Sequence, residues 1–216
     1  MCFSATASFV ACGVTGAVGL GTIVRARSTN ELPLAAIPLI FAVQQGIEGL
    51  LWLTLPIAPE GPASTLLTQQ FLLIATVFWP VFAPIAVLLI EPDPMRRLLL
   101  QGCLAIGLSV AGYSLWYGLT GSPAASIANG HIVYSGKPGL SHEIVLLYLL
   151  VTGVPPLLSS HLIVSLFGTI VVLGTFVAYA FYWEAFISVW CFFAAIGSAV
   201  ILAHFETLRR LGRAAA

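Results

Sequence analysis

Seven apolar runs follow one another along this chain with only short polar breaks, and that pattern leaves few ways to fold. The runs cover residues 5–23, 33–55, 66–91, 97–118, 142–158, 161–181 and 185–205. A membrane-crossing helix needs about 20 such residues. Seven of them use up the chain and leave no room for a soluble domain. Only 7% of residues are charged and 59% are hydrophobic, against about 25% charged in a typical soluble domain. So few charges cannot make a water-facing surface, and lipid is the expected solvent. The reading is an all-α integral membrane protein: one transmembrane domain over residues 1–216, built as a bundle of seven helices. The N-terminal run has no basic segment before it and continues too long for a secretion signal, so it reads as the first span.

Prolines and glycines mark the breaks. Pro33 opens the second run, and Pro56, Pro59, Gly61 and Pro62 close it. Pro80 and Pro84 lie inside the third run, where a kink is expected. Residues 120–141 are rich in Gly, Ser, Pro and Asn and read as a long loop.

Charge placement sets the orientation. With alternating spans, Arg25, Arg27, Arg96, Arg97, Arg209, Arg210 and Arg213 share one side, and the other side holds only Lys137. Short basic loops stay in the cytoplasm. The N-terminus and the 120–141 loop are therefore expected outside, and the C-terminus inside. No basic stripe suits a nucleic-acid partner. On this topology Trp52, Tyr113, Trp116, Tyr117, Tyr134, Tyr148, Tyr179, Tyr182, Trp183 and Trp190 all fall in the outer half, and only Trp79 is deep. Two readings stay open: an interfacial aromatic belt, or an aromatic-lined outer cavity.

Glu48 is the residue with most chemical content. A carboxylate near the bilayer centre costs about 2.5–3.5 kcal/mol on insertion scales, so it should face other helices or a wet cavity. Gln44, Gln45 and Trp52 stand three or four residues from it, on one side of a helix. Gly46 and Gly49 would let a neighbouring helix come close. An acid among aromatic faces suits an organic cation, and Glu48, Gln44, Gln45, Trp52, Tyr113, Tyr148 and Trp190 are the expected ligand-binding set. His131, His142, His161 and His204 are weak metal or haem candidates, because no HxxxH or HExxH spacing joins them. The four cysteines, Cys2, Cys12, Cys103 and Cys191, form no CxxC pair, and the three in apolar runs read as small buried hydrophobes.

Some membrane chemistries are set aside. A retinal Schiff base needs an intramembrane lysine, and Lys137 is in a loop. Ceramidase-like hydrolysis needs histidines with an aspartate, and Asp93 is alone in a turn. Gly112-Tyr113-Ser114 carries only part of the rhomboid-protease GxSG motif.

The opening Met1-Cys2-Phe3-Ser4 resembles that of a family of bacterial multi-span membrane proteins known as a domain of unknown function. Residues 34–38, 44–49, 159–161 and 188–195 agree with it, so the likeness runs through nearly the whole chain. The resemblance implies a compact multi-pass protein of the inner (plasma) membrane and supplies no activity or cofactor. The leading functional expectation is small-molecule binding or transport through an outward-facing polar and aromatic pocket around Glu48. The alternatives are a metal- or haem-dependent membrane enzyme and an accessory subunit of a membrane complex. The topology is checked with fusion reporters: one placed after Arg213 should report cytoplasm and one within residues 120–141 the outside, and the reverse pattern would invert the whole reading.

Overall fold

Where the helices begin, and how closely they approach, follows from prolines, glycines and small side chains. The computed structural model describes residues 4–135 and 142–214, apart from the side chains of His142 and of residues 211–214. Lys137, Ser141, the Met1-Cys2-Phe3 opening and the Arg213 side chain therefore lie outside the described residues. The helices are α1 (Ala5–Ile23), α2 (Leu32–Thr54), α3 (Pro62–Leu72), α4 (Trp79–Leu88), α5 (Pro94–Thr120), α6 (His142–Leu157), α7 (Leu162–Phe181), α8 (Phe186–Gly197) and α9 (Val200–Ala214). Ser4 caps α1 by accepting from the Ala7 amide, and Asp93 caps α5 by accepting from the Arg96 amide at 2.8 Å. Pro62 and Pro94 open their helices, where a missing N–H costs nothing.

Among the described residues six helices are long and apolar enough to cross a membrane: Ala5–Ile23, Leu32–Thr54, Pro62–Leu88, Pro94–Thr120, Leu162–Phe181 and Trp183–Arg210. The segment expected as the fifth span is shorter, an apolar helix over Glu143–Leu157. Outward faces are apolar, with Val10, Leu20, Leu73, Phe176 and Phe181 at least half exposed, as lipid contact would require.

α1 and α2 pack as an antiparallel pair through small residues. Ser8, Ala11, Thr15, Gly19 and Thr22 form the buried face of α1. A Cβ on Gly19 would stand 2.5 Å from the Leu39 amide nitrogen, and one on Gly49 would meet the Phe9 ring at 2.7 Å. Such backbone approach is the usual device of helices that pack in lipid. Thr22 Oγ1 donates across the pair to the Ala35 carbonyl at 2.6 Å.

The third run is one rod made of α3, a π-helical segment over Leu73–Phe78, and α4. The expected disturbance at Pro80 and Pro84 takes this form. Pro80 has no N–H for the Thr76 carbonyl, and Pro84 none for the Pro80 carbonyl. Upstream the winding widens, and the Trp79 amide donates five residues back to Ile74. The Pro80 carbonyl, freed of its helical donor, faces Gly107 of α5, where a Cβ would lie 2.0 Å from its oxygen.

The long loop is where the structure adds to an all-helical expectation. Residues Ala124–Ala128 (β1) and His131–Ser135 (β2) form an antiparallel hairpin. Asn129 and Gly130 both have positive φ, 50° and 73°, the backbone that a two-residue hairpin turn requires. The hairpin lies back on the helices: Ile132 is fully buried, and Tyr134 stacks on Phe71 of α3 with ring centroids 4.6 Å apart. Its far strand touches the start of the last helical run, with His131 edge-on to Tyr182 at 5.2 Å. We call this the hairpin end. The opposite end holds the described arginines. The last run is also divided, since Ser198 and Ala199 separate α8 from α9.

Gly107→Ala should lower thermal stability in detergent by about 1–3 kcal/mol through overpacking against Pro80. Gly102→Ala, which meets nothing within 4 Å, is the control. Equal melting temperatures for the two variants would contradict the close α4–α5 contact.

Candidate functional site

Glu48, Gln44 and Gln45 all have 0% exposure and point into the bundle. The Ser188 hydroxyl of α8 donates to Glu48 Oε1, and Gln45 Nε2 lies 3.5 Å from Glu48 Oε2. Gln44 joins two further helices: its Oε1 accepts from Trp79 Nε1 of α4 at 2.8 Å, and its Nε2 donates to Cys191 Sγ of α8 at 3.2 Å. Phe41 stacks on Trp79 with centroids 4.3 Å apart. The stripe foreseen on α2 is therefore a real polar network, with Ser188, Cys191 and Trp79 as its partners. Trp79 was the one deep tryptophan, and an indole N–H buried in lipid-depth packing needs an acceptor; that was the available signal for its role.

The other expected site residues separate. Trp190 (3% exposed) and Tyr148 (8% exposed) meet edge to face at 5.4 Å between α8 and α6. Trp52 is half-buried, with its indole nitrogen enclosed and unpartnered. Tyr113 lies on α5 against Trp116, ring centroids 6.0 Å apart. A small apolar cavity of about 30 Å³ lies beside Trp79 and Trp190, lined also by Phe41, Thr152 and Phe167, room for little more than one water.

The large cavity is elsewhere, at the hairpin end, with a volume of about 660 Å³. That falls within the 300–1,000 Å³ usual for small-molecule sites. One wall is α3 and the π segment, with Leu66, Gln69, Gln70, Leu73, Thr76 and Val77. Opposite stand Ser114, Leu115 and Tyr117 of α5 and Ile144, Val145 and Tyr148 of α6. Tyr134 and Ser135 of the hairpin border it, and Trp183, Glu184, Phe186 and Ile187 complete it. Tyr148 is the only member of the expected binding set that lines it. Glu48 stands one layer behind, through Ser188, the neighbour of Ile187 on α8. The Tyr148 hydroxyl is buried without a hydrogen-bond partner among the described residues, an arrangement that costs about 1–3 kcal/mol if left unmet. Glu184 at the mouth accepts from Asn129 of the hairpin turn at 3.3 Å. Sequence reasoning missed Gln69 and Gln70; two carboxamides interrupting an apolar span were the available signal.

The arginine end carries a second cluster. Glu91, 2% exposed, accepts from the Ser160 hydroxyl, from the Ser160 amide at 2.7 Å and from the Asp93 amide at 3.2 Å. Four arginines hydrogen-bond backbone carbonyls: Arg25 to Gly21 in the last turn of α1, Arg27 to Leu208 of α9, Arg96 to Leu158 just past α6, and Arg97 to Leu88 and Glu91. Arg25 also pairs with Glu206 of α9 at 3.1 Å. His161 Nε2 donates to the Ile90 carbonyl at 3.1 Å, and its ring meets His204 edge to face at 5.0 Å. The two histidines do come together, but rings in direct edge contact leave no gap for a porphyrin between them. Among the described residues no group of three His, Cys, Asp or Glu side chains stands at metal-binding distance. His131 packs on Tyr182 in the hairpin, remote from that pair. His142 opens α6, its side chain outside the described residues.

These features define a helical protein with six helices fit to cross a membrane, a buried polar network on α2 and a roofed cavity at one end. The chain belongs to a family of unknown function, DUF6629, whose model matches residues 1–216. No curated protein and no solved structure matches it.

Burial pushes the Glu91 carboxyl up, but the Ser160 hydroxyl, the Ser160 and Asp93 amides and the charge of Arg96 outweigh it and hold the group below its ordinary value. A depressed carboxyl stabilises the fold above its unfolded value of about 4.3, and that contribution is lost as pH falls through the lower folded value. Melting temperature should therefore drop on acidification below about pH 4, and Glu91→Gln should remove part of the dependence. A Glu91→Gln profile that retains the full wild-type drop would exclude this assignment. Ser188→Ala should cost about 1–3 kcal/mol by weakening the satisfaction of buried Glu48, read as a lower melting temperature at neutral pH.

Proposed function

We propose that this is a multi-pass membrane protein that binds a small amphiphilic molecule in the cavity at its hairpin end, for recognition or transport. The cavity carries the reading: about 660 Å³, mostly apolar, with a few polar groups turned toward it. Among these are Gln69, Gln70, Thr76, Ser114 and Glu184. Apolar walls with a few placed polar groups are what small-molecule sites have in common. The π segment on one wall is a further support, since such segments gather at functional sites.

The topology is part of the proposal. We take the arginine end as cytoplasmic and the hairpin end as external, in the plasma membrane of a bacterial cell. The seven-to-one split of basic residues supports the first part, and the resemblance of the opening residues supports the second. Seven crossings require α6 to span. Its carboxyl end reaches the arginine end, where Arg96 binds the Leu158 carbonyl, and Tyr148 in its first half lines the cavity at the other. Sixteen residues at about 1.5 Å each give about 24 Å, somewhat less than the hydrocarbon thickness of about 30 Å. In this reading Glu48 is support for the wall: it ties α8 to α2 behind the cavity.

Native mass spectrometry of the protein released from its membrane should detect a retained small molecule. Val145→Trp, which fills the cavity, should lose it. Leu146→Trp, on the 67% exposed outer face, should retain it. Retention of the same adduct by both variants would place the ligand elsewhere.

A further inference from the structure

We infer that the cavity selects a hydrophobic organic cation, an amine-bearing amphiphile rather than an anionic or zwitterionic lipid. This rests on the cavity being a binding site, and concerns what it accepts. The argument is charge complementarity. Among the described lining residues Glu184 is the only acid, and there is no lysine, arginine or histidine. Among the described residues an anionic head would meet one repelling carboxylate and no cation. A cation meets the opposite situation. Glu184 is exposed at the mouth, where Asn129 of the hairpin turn holds it by a hydrogen bond at 3.3 Å. Trp183 adjoins it in the chain, and Tyr134, Tyr148 and Tyr117 also line the space. Aromatic faces attract a cation by about 0.5–2 kcal/mol, more when water is excluded. Leu66, Leu73, Val77, Leu115, Ile144 and Ile187 supply apolar wall for a hydrocarbon or aryl body.

The three-way fit gives the parts separate roles. The apolar wall sets affinity for the body of the molecule, the aromatics and Glu184 choose the sign of its charge, and the hairpin turn positions Glu184. A carboxylate fixed by a carboxamide keeps its second oxygen for the ligand.

The test uses two ions of the same shape and opposite charge, tetraphenylphosphonium and tetraphenylborate. Equilibrium dialysis is run on the full chain in nanodiscs of zwitterionic lipid, with empty discs subtracted. Wild type should bind the phosphonium at least about tenfold more tightly than the borate, and Glu184→Gln should weaken the phosphonium by about tenfold, the equivalent of one charge contact of about 1.4 kcal/mol. The borate should bind no more weakly after that change, since the only effect on it is the loss of a repelling charge. Val145→Trp should weaken both. Equal binding of both ions, with Glu184→Gln silent and Val145→Trp blocking each, overturns the cation assignment while leaving the cavity as a binding site. Failure of wild type to bind the phosphonium also overturns it, and the retained molecule in native mass spectrometry then decides the fate of the cavity reading on its own.

Discussion

A carboxyl group and two carboxamides sit on neighbouring turns of α2 at a depth where water is scarce, and each needs a partner. That need organises the middle of the protein. α4 brings Trp79 to Gln44, and α8 brings Cys191 to Gln44 and Ser188 to Glu48. Both helices must lie against α2 for those bonds to exist. α1 takes the remaining side, close enough through Gly16, Gly19, Gly46 and Gly49 to seal it. Hydrocarbon contacts alone would leave the helices of such a bundle many near-equivalent arrangements, because lipid tails are as apolar as leucine. A small set of polar contacts removes that degeneracy.

The two ends answer a different problem, the unpaired backbone groups where helices stop. At one end, Arg96 of α5 binds the Leu158 carbonyl just past α6, Arg27 between α1 and α2 reaches the Leu208 carbonyl of α9, and Glu91 takes the Ser160 amide and hydroxyl in the turn between α6 and α7. The result is a tight floor. At the other end a hairpin supplies its own backbone pairing and leans on the helices through Ile132 and Tyr134. It rests on α3 at one side and on the start of the last run at the other, and residues of both line the cavity beside it.

Much of this was legible in the residues themselves. The helical runs followed from length and apolarity, and the buried stripe from the spacing of Gln44, Gln45 and Glu48. What could not be read was which helix faces which. Tyr113 and Tyr148 share a depth and a residue type, yet one packs on Trp116 and the other on Trp190 beside the cavity; helix rotation decides that, and apolar periodicity is nearly flat in helices so uniformly apolar. The cavity was expected around Glu48 because depth was known and azimuth was not. The hairpin is a different case. Asn129-Gly130 between Ser126-Ile127-Ala128 and His131-Ile132-Val133 is a strong turn signal, masked by reading the segment only as the absence of a span.

The π segment in the third run sets a matter of angular phase. Phe71, Ala75, Trp79 and Ala83 are all buried, and each lies four residues after the last. An ideal α-helix turns about 100° per residue, so each step of four overshoots by about 40° and three steps by about 120°. Side chains on that schedule would spiral out of the core within a few turns. Wider winding between Leu73 and Phe78 absorbs the excess. It lets one rod present Phe71 to the hairpin and Trp79 to Gln44 from what is effectively a single edge. The irregular turn thus works as a gear offset between the roof of the cavity and the polar centre of the bundle. A sequence with one residue fewer there would have to choose which of the two to face.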